Sequence, residues 1–412
     1  MKLKTINLFL FLITGFLLAQ YLRLDLKSVA SLTSEAEVDL SFLNLNVFGL
    51  FLFSVFFIFL NKRQRLREEA SFMRNLMICV YVISILHSFK NPFPTKLLNV
   101  TIILPYLLFL FTYISANVIK RKVLYGFILF LYLFLVFSYS QEFTKVLASS
   151  LNGQTSQTNA SYFILYLLPL VLCINKKWMQ YTSFLIAIIV TLSSAKRSGT
   201  IALLLGLLIF ILVDLSKQKS NAHKKTNIVW IVAVIMLMSF FVFNNNFIQD
   251  LTVFNRLKEL EEDGGSGRTV IFRHTFSMIC NSDMFSILLG HGWDRVVRDS
   301  KLGLSAHNDF LEVMYDFGII GIIMYLSFFY YLIKKTFLLI KKKSEYAAPM
   351  AVSLVLFSLN SFSSHIIIYP GYMCIFAICW GYILSQEYKQ IENEEAGLPC
   401  FDKTKIGSST FS

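Results

Sequence analysis

The chain has 412 residues, of which 56% are hydrophobic and 15% charged, and its formal net charge is +13. Apolar runs as long as a bilayer is thick exclude a soluble globular protein and indicate a polytopic membrane protein. Most of the basic residues flank these runs, so anionic lipid headgroups explain the positive charge and nucleic acid is not an expected partner.

The apolar runs predict an all-α protein with about twelve transmembrane helices. In chain order, the predicted spans are residues 6–22, 42–60, 76–87, 97–119, 123–139, 162–174, 181–194, 200–215, 228–243, 319–333, 347–362 and 366–384. Several are shorter than the roughly 20 residues that cross a bilayer, so their exact bounds are approximate.

Basic turns set the expected orientation. KRK at residues 120–122 and KKK at 341–343 lie between spans on one side, whereas the first loop on the other side is acidic. Because cytoplasmic loops carry an excess of Lys and Arg, both termini are predicted to be cytoplasmic and the long polar loop external. The expected divisions are an N-terminal bundle of about nine spans, a large external loop, a C-terminal group of about three spans and a cytoplasmic tail, at residues 1–243, 244–317, 318–385 and 386–412.

Lys196 and Arg197 form a cationic turn on the external side, where few basic residues are expected. A guanidinium donates paired hydrogen bonds to phosphate oxygens and keeps its charge, so this turn suits a lipid phosphate. The alternative is a snorkelling pair that ends a helix.

Arg268 follows a glycine-rich run and precedes a predicted helix at residues 269–279, with Ser266 as the expected N-cap. An arginine beside the unpaired N–H groups of a first helical turn forms an anion site. The alternative is a linker that starts a surface helix with an exposed arginine. The expected inner face of the helix carries Phe272, Thr275, Phe276 and Ile279.

The sequence Gly-His-Gly-Trp at residues 290–293 predicts a tight turn, in which His291 is a turn residue and not a catalyst. Arg295 and Arg298 follow and extend a basic rim. Two neighbouring carboxylates nearly neutralise them, namely Asp294 and Asp299.

Residues 305–321 carry the strongest local signal. Ser305 is the expected N-cap of a helix whose early turns hold Asp309 and Glu312, where the helix dipole favours negative charge. His307, Leu311, Met314 and Gly318 recur at helical spacing, which places His307 on the apolar face. Such a histidine is either a packed core residue or a neutral imidazole that accepts a proton from a hydroxyl near pH 7. Gly318 and Gly321 predict close packing where the next span begins.

Five of the six histidines fall on the external side or its membrane boundary, at positions 87, 274, 291, 307 and 365. Glu35, Glu37 and Asp39 in the first external loop offer a carboxylate base or a metal site as an alternative. The simpler interpretation is a solvated acidic loop. The cysteines show no zinc spacing, and no metal is expected.

The SAKRSG turn at residues 194–199, SGR at 266–268 and AHNDFLEVMYDFGIIG at 306–321 together resemble the bacterial O-antigen ligase and Wzy-type O-antigen polymerase superfamily. The resemblance covers roughly residues 193–333. It implies a metal-independent glycosyltransferase without a cofactor, with a helical membrane fold of the GT-C type, acting on sugars carried by undecaprenyl diphosphate.

By the same resemblance, Arg197 and Arg268 hold the diphosphate of the donor and His307 activates the acceptor hydroxyl. Lys196, Asn308 and Arg273 are further candidates for the same site. The implied partners are the lipid-linked donor and acceptor, membrane lipids and a chain-length regulator protein. The implied location is the bacterial inner membrane, with the active site facing the periplasm.

The preferred function is an O-antigen polymerase, which joins lipid-linked repeat units. A ligase that transfers the glycan to lipid A core uses the same donor and the same residues, and is the close alternative. A polysaccharide flippase is a distant third, because it predicts charged residues inside the spans and these are scarce.

Overall fold

The computed structural model describes residues 2–31, 40–63, 68–90, 96–151, 159–194, 196–217 and 268–395. Every regular element in these ranges is an α-helix, which confirms the predicted all-α class there. The helices are α1 (Leu3–Ser31), α2 (Leu40–Leu60), α3 (Glu68–Lys90), α4 (Lys96–Val118), α5 (Arg121–Leu151), α6 (Ser161–Leu172), α7 (Lys177–Ser193), α8 (Arg197–Lys217), α9 (Arg268–Cys280), α10 (Met284–Leu289), α11 (Arg295–Asp299), α12 (Asp309–Lys341), α13 (Ala347–Ser363) and α14 (Pro370–Glu395).

Eleven of the twelve predicted spans coincide with described helices, namely α1 to α8 and α12 to α14. Within the described ranges, six helices are long and apolar enough to cross a membrane: α1, α2, α3, α5, α8 and α12. The remaining predicted span, residues 228–243, lies outside the described residues. The count of twelve and the GT-C likeness therefore stay predictions.

The centre of the bundle is formed by α6 and α14. Every side chain of α6 is buried. Tyr166 on this helix packs against Phe376 on α14 with ring centroids 4.9 Å apart, and Phe376 stacks on Trp380 at 5.4 Å. Outer helices instead expose large apolar side chains, including Phe59 and Phe137 at 61% and 60%. Apolar residues on both faces suit a helix between protein and lipid.

One end of the bundle is held by charged groups. Arg121, at the start of α5, donates a 2.7 Å hydrogen bond to Glu345, just before α13. Lys217, the last residue of α8, donates to the Glu345 carbonyl, and Lys342 pairs with Glu387 of α14. The KRK and KKK turns thus lie together at this end. Residues 319–341 of α12 form a continuous helix about 34 Å long, so the first turns of α12, before its bend, lie at the opposite end.

At that opposite end, Gly318 bends α12 with φ 66° and ψ −161°. The bend lies where the sequence places the boundary between external loop and membrane span. A Cβ on Gly318 would lie 2.5 Å from the backbone carbonyl carbon of Leu288. The close approach expected at Gly318 is therefore present, and its partner is the short helix α10.

Candidate active site

His307 precedes α12 and does not lie on its apolar face, so the helical placement predicted for it is wrong. Asn308 is the N-cap, and its Oδ1 accepts hydrogen bonds from the backbone N–H groups of Phe310 and Leu311. His307 adopts the left-handed region at φ 51°, where helical spacing no longer applies. Ser305 is not the cap either, because its hydroxyl bonds another side chain.

That side chain is His365, in the turn between α13 and α14. Ser305 Oγ and His365 Nδ1 share a hydrogen bond of 3.0 Å, and the rings of His307 and His365 lie 4.6 Å apart. His365 also stacks on Tyr369, with centroids 4.8 Å apart. The sequence pattern placed His365 on the external side but assigned it no role.

Two carboxylates of α12 anchor the turns that carry these histidines. Asp309 Oδ1 accepts hydrogen bonds from the backbone N–H groups of Ile366 at 2.9 Å and Ile367 at 3.3 Å. Glu312 Oε2 accepts one from Ala306 at 2.7 Å. The sequence pattern assigned both acids to the helix dipole. Their buried oxygens instead satisfy backbone donors that would otherwise be unpaired.

A third carboxylate on the same helix holds the next turn. Asp316 accepts hydrogen bonds from the N–H groups of Asp294 at 2.8 Å and Arg295 at 3.1 Å. The turn at residues 290–293 has positive φ at Gly290 and Gly292, as predicted. Three acids on one helix therefore fix three neighbouring segments at this end of the bundle.

Two cations lie close to the histidine pair. Arg268 is the first residue of α9, and Lys196 immediately precedes α8; both are half-buried. Burial, and then the positive charges of Arg268 and Lys196, lower the pKa of His307 to about 4. Burial, followed by the charges of His307, Arg268 and Lys196, lowers the pKa of His365 to about 3. Both imidazoles are therefore neutral at pH 7.

Arg197 opens α8, and its side chain lies outside the part of the chain that the structure describes. Its neighbour Ser198 shares a 2.6 Å hydrogen bond with the Tyr162 hydroxyl. Tyr162 in turn lies close enough to Arg268 for an electrostatic interaction. The backbone of Arg197 and the side chain of Arg268 thus belong to one neighbourhood, and each residue is the first of a helix.

Two of the further candidates have other surroundings. Asn308 is occupied by its capping bonds and donates Nδ2 to the Phe362 carbonyl at 3.1 Å, which ties the turn to α13. Arg273 is exposed on α9. On the inner face predicted for α9, Thr275 is buried as expected, but Phe276 is 59% exposed and Ile271 is buried in addition.

The turn at residues 290–293 and its surroundings fold as the sequence predicts. His291 stacks on Tyr315 at 4.2 Å, and its Nε2 bonds Ser282 Oγ at 2.8 Å. The two arginines of the proposed rim are paired within α11 and its start, Arg295 with Asp299 at 3.0 Å and Arg298 with Asp294 at 3.4 Å. The acidic residues Glu35, Glu37 and Asp39, and the glycine-rich run 264–267, lie outside the described residues.

An apolar cavity of about 210 Å³ lies between α3, α4, α12 and α14. Its walls include Pro105, Phe317 and Trp380, and Trp293 and Ile367 contribute from the turns before α11 and α14. Because Ile367 is one of the backbone donors held by Asp309, the cavity adjoins the anchored turn of His365.

The arrangement combines a neutral imidazole, two cations and an adjoining apolar cavity. A neutral imidazole accepts a proton from a hydroxyl, and nearby cations stabilise a negative charge that develops on a leaving group. The geometry therefore suits transfer to a hydroxyl from an anionic, lipid-attached donor.

The family model described as O-antigen ligase matches residues 182–326, about a third of the chain. The match includes α8, the short helices α9 to α11, His307 and the first half of α12. No curated protein matches the chain at a significant level. The resemblance seen in the sequence is confirmed for residues 182–326, which match the O-antigen ligase family model and so support a relationship to the superfamily of O-antigen ligases and Wzy-type polymerases.

Proposed function

We propose that the chain is an O-antigen polymerase, a membrane glycosyltransferase that joins repeat units carried on undecaprenyl diphosphate. The observation that carries the proposal is the placement of neutral His307 beside Arg268 and Lys196, next to an apolar cavity. The match of residues 182–326 to the O-antigen ligase family, whose members are membrane enzymes that transfer glycosyl groups, supports it.

The chemistry balances with these residues alone. The acceptor hydroxyl oxygen forms a bond to the anomeric carbon of the donor, and the bond from that carbon to the diphosphate oxygen breaks. His307 takes the hydroxyl proton, while the diphosphate leaves with the electron pair. Arg268 and Lys196, which lie near His307, stabilise the negative charge that develops on the diphosphate. A hydrogen bond to a charged group contributes about 1.5 to 3 kcal/mol, so each cation is worth about one to two factors of ten in rate.

The donor lipid accounts for the apolar cavity. Burying an apolar chain stabilises the complex by about 25 cal/mol for each Å² removed from water. A chain bound between α3 and α12 enters below Trp293 and Ile367, which lie beside the turn of His365. This placement brings the diphosphate head towards Arg268 and Lys196.

Orientation follows from the distribution of charge between the two ends of the bundle. The KRK and KKK turns and the end of α14 lie at one end, and His307 lies before the first turn of α12 at the other. The positive-inside bias favours the cationic end as cytoplasmic. We therefore propose that both termini are cytoplasmic and that the site faces the periplasm.

A ligase is the second candidate, because the matching family is described as O-antigen ligase. It uses the same donor, base and cations, and differs in taking lipid A core as the acceptor. The H-N-D-F-L-E run followed by G-I-I-G favours the polymerase. The acceptor surface decides between the two.

The test uses a strain in which this chain is deleted and returned as wild type, His307→Ala or Arg268→Ala. His291→Ala is the matched control, since it removes a half-buried histidine of the same external side. Lipopolysaccharide is then separated on a gel. A single repeat unit on core in both site variants supports the polymerase. Bare core with long lipid-linked chains supports the ligase, and wild-type ladders from both variants contradict the site.

A further inference from the structure

A second histidine lies against the proposed base. We infer that His365 is a positioning residue of this site, which fixes the ring of His307 and shields it from water. The inference rests on the proposed function, since it assigns His365 an effect exerted through His307.

The contacts of His365 hold its ring in one place. Ser305 Oγ bonds Nδ1 at 3.0 Å, Tyr369 stacks on the ring with centroids 4.8 Å apart, and the His307 ring lies 4.6 Å away, tilted by 43°. Only 9% of His365 is exposed. A ring fixed this way limits the movement of the imidazole that packs on it.

The spacing of the two rings is set by a single rigid element. Asp309 holds Ile366, the residue after His365, and Glu312 holds Ala306, the residue before His307. Both acids lie in the first turn of α12. Two turns 60 residues apart in sequence are therefore aligned by one helix, and the Ser305 bond closes the contact between them.

The positive charges of Arg268 and Lys196 oppose a proton on either ring, whereas burial raises the pKa of the nearby carboxyls of Asp309 and Glu312 and so disfavours their charged forms. The surrounding titratable groups come from α6, α9, the start of α8, the turn before α14 and α12 itself, and they are Tyr162, Arg268, Lys196, Tyr369, Asp309 and Glu312. Burial lowers the pKa of both histidines. Removing the His365 ring opens space for water beside His307. Water stabilises the imidazolium, so the pKa of His307 rises towards its ordinary value near 6.5.

The experiment measures kcat/KM against pH in membranes that contain the full chain. The substrate is the mixture of lipid-linked saccharides extracted from cells that lack this chain. Because a base is inactive when protonated, activity falls on the acid side of its pKa. His365→Ala should lower activity at pH 5. It should also shift the acid limb of the pH profile, where kcat/KM falls, to higher pH by about one unit or more. His365→Phe fills the same space with a ring and should keep the acid limb of kcat/KM near the pH at which it lies in wild type.

His291→Ala is the matched control, since that ring also bonds a serine and stacks on a tyrosine but lies elsewhere. His291→Ala should leave the acid limb of kcat/KM at the wild-type pH. Ser305→Ala keeps the ring of His365 and removes its anchor, so a smaller upward shift is expected. This variant carries the test if His365→Ala does not accumulate in the membrane.

An acid limb of kcat/KM that stays at the wild-type pH in His365→Ala overturns the inference. If His365→Ala is absent from the membrane, the same result in Ser305→Ala overturns it. An equal shift in His365→Phe and His365→Ala overturns the shielding role. Failure of the proposed function looks different. In that case His307→Ala itself keeps wild-type transfer, whatever the behaviour of His365.

Discussion

Glu312 Oε2 accepts a hydrogen bond of 2.7 Å from the backbone N–H of Ala306, the residue that precedes His307. The left-handed conformation of His307, at φ 51°, thus lies between this bond and the N-cap at Asn308. Strained backbone at a catalytic residue persists when its surroundings hold it on both sides.

Glu312→Ala should therefore lower transfer by about five- to a hundredfold, because an unpaired buried N–H costs about 1 to 3 kcal/mol. Glu312→Gln keeps an oxygen that accepts the same bond and should retain most activity. The measurement is the rate at which membranes elongate extracted lipid-linked saccharides, normalised to the amount of chain. Equal rates in the two variants would show that the Ala306 bond does not support the site.

The pH dependence of the reaction should differ between free and donor-bound enzyme. In the free site, burial and the charges of Arg268 and Lys196 hold the pKa of His307 at about 4. A diphosphate between these cations offsets their charge, so the pKa of His307 rises when the donor binds. Because kcat/KM reports the free enzyme and kcat the complex, the acid limb of kcat should lie at higher pH. A kcat limb at or below that of kcat/KM would contradict a diphosphate in this place.

Arg268 should act mainly through the donor. Arg268→Ala should reduce kcat/KM for the extracted donor by about ten- to a hundredfold, and Arg268→Lys should recover part of it, since lysine keeps the charge without the paired geometry. Lys301→Ala, an exposed cation on the same side, is the control and should match wild type. Equal kcat/KM values for Arg268→Ala and Lys301→Ala would remove Arg268 from the site.

Two glycines with similar φ separate backbone strain from close packing. Gly318→Ala introduces both backbone strain and a steric clash, since φ is 66° and its Cβ would lie 2.5 Å from the Leu288 backbone. Gly303 has φ 61° with open space around it, so Gly303→Ala costs only about 1 kcal/mol of conformational strain. Thermal unfolding of the detergent-solubilised chain should show a much larger loss of stability for Gly318→Ala. Similar losses of stability in the two variants would contradict the packing of α10 against Gly318.

Much of the helical frame follows from the sequence, because a lipid-facing helix needs a long apolar run and the runs here are distinct. The start of α9 at Arg268 and the turn at Gly290 followed from glycine chemistry in the same way. The placement of His307 did not follow, because Asn308 outcompetes Ser305 as the N-cap. His365 was missed since its contact with Ser305 joins segments 60 residues apart. Asp309 and Glu312 looked like dipole partners because their true partners are backbone groups of other segments.

The most direct test of the proposal is to compare the elongation of lipid-linked glycans by the wild-type chain and by His307→Ala. Membranes that contain wild type or His307→Ala, at matched amounts, are incubated with lipid-linked saccharides from cells that lack the chain. The length of the lipid-linked glycans is then measured by gel and mass spectrometry. Wild type should extend the glycans by whole repeat units, and His307→Ala should leave them at their starting length. Extension at the wild-type rate by His307→Ala would contradict His307 as the base.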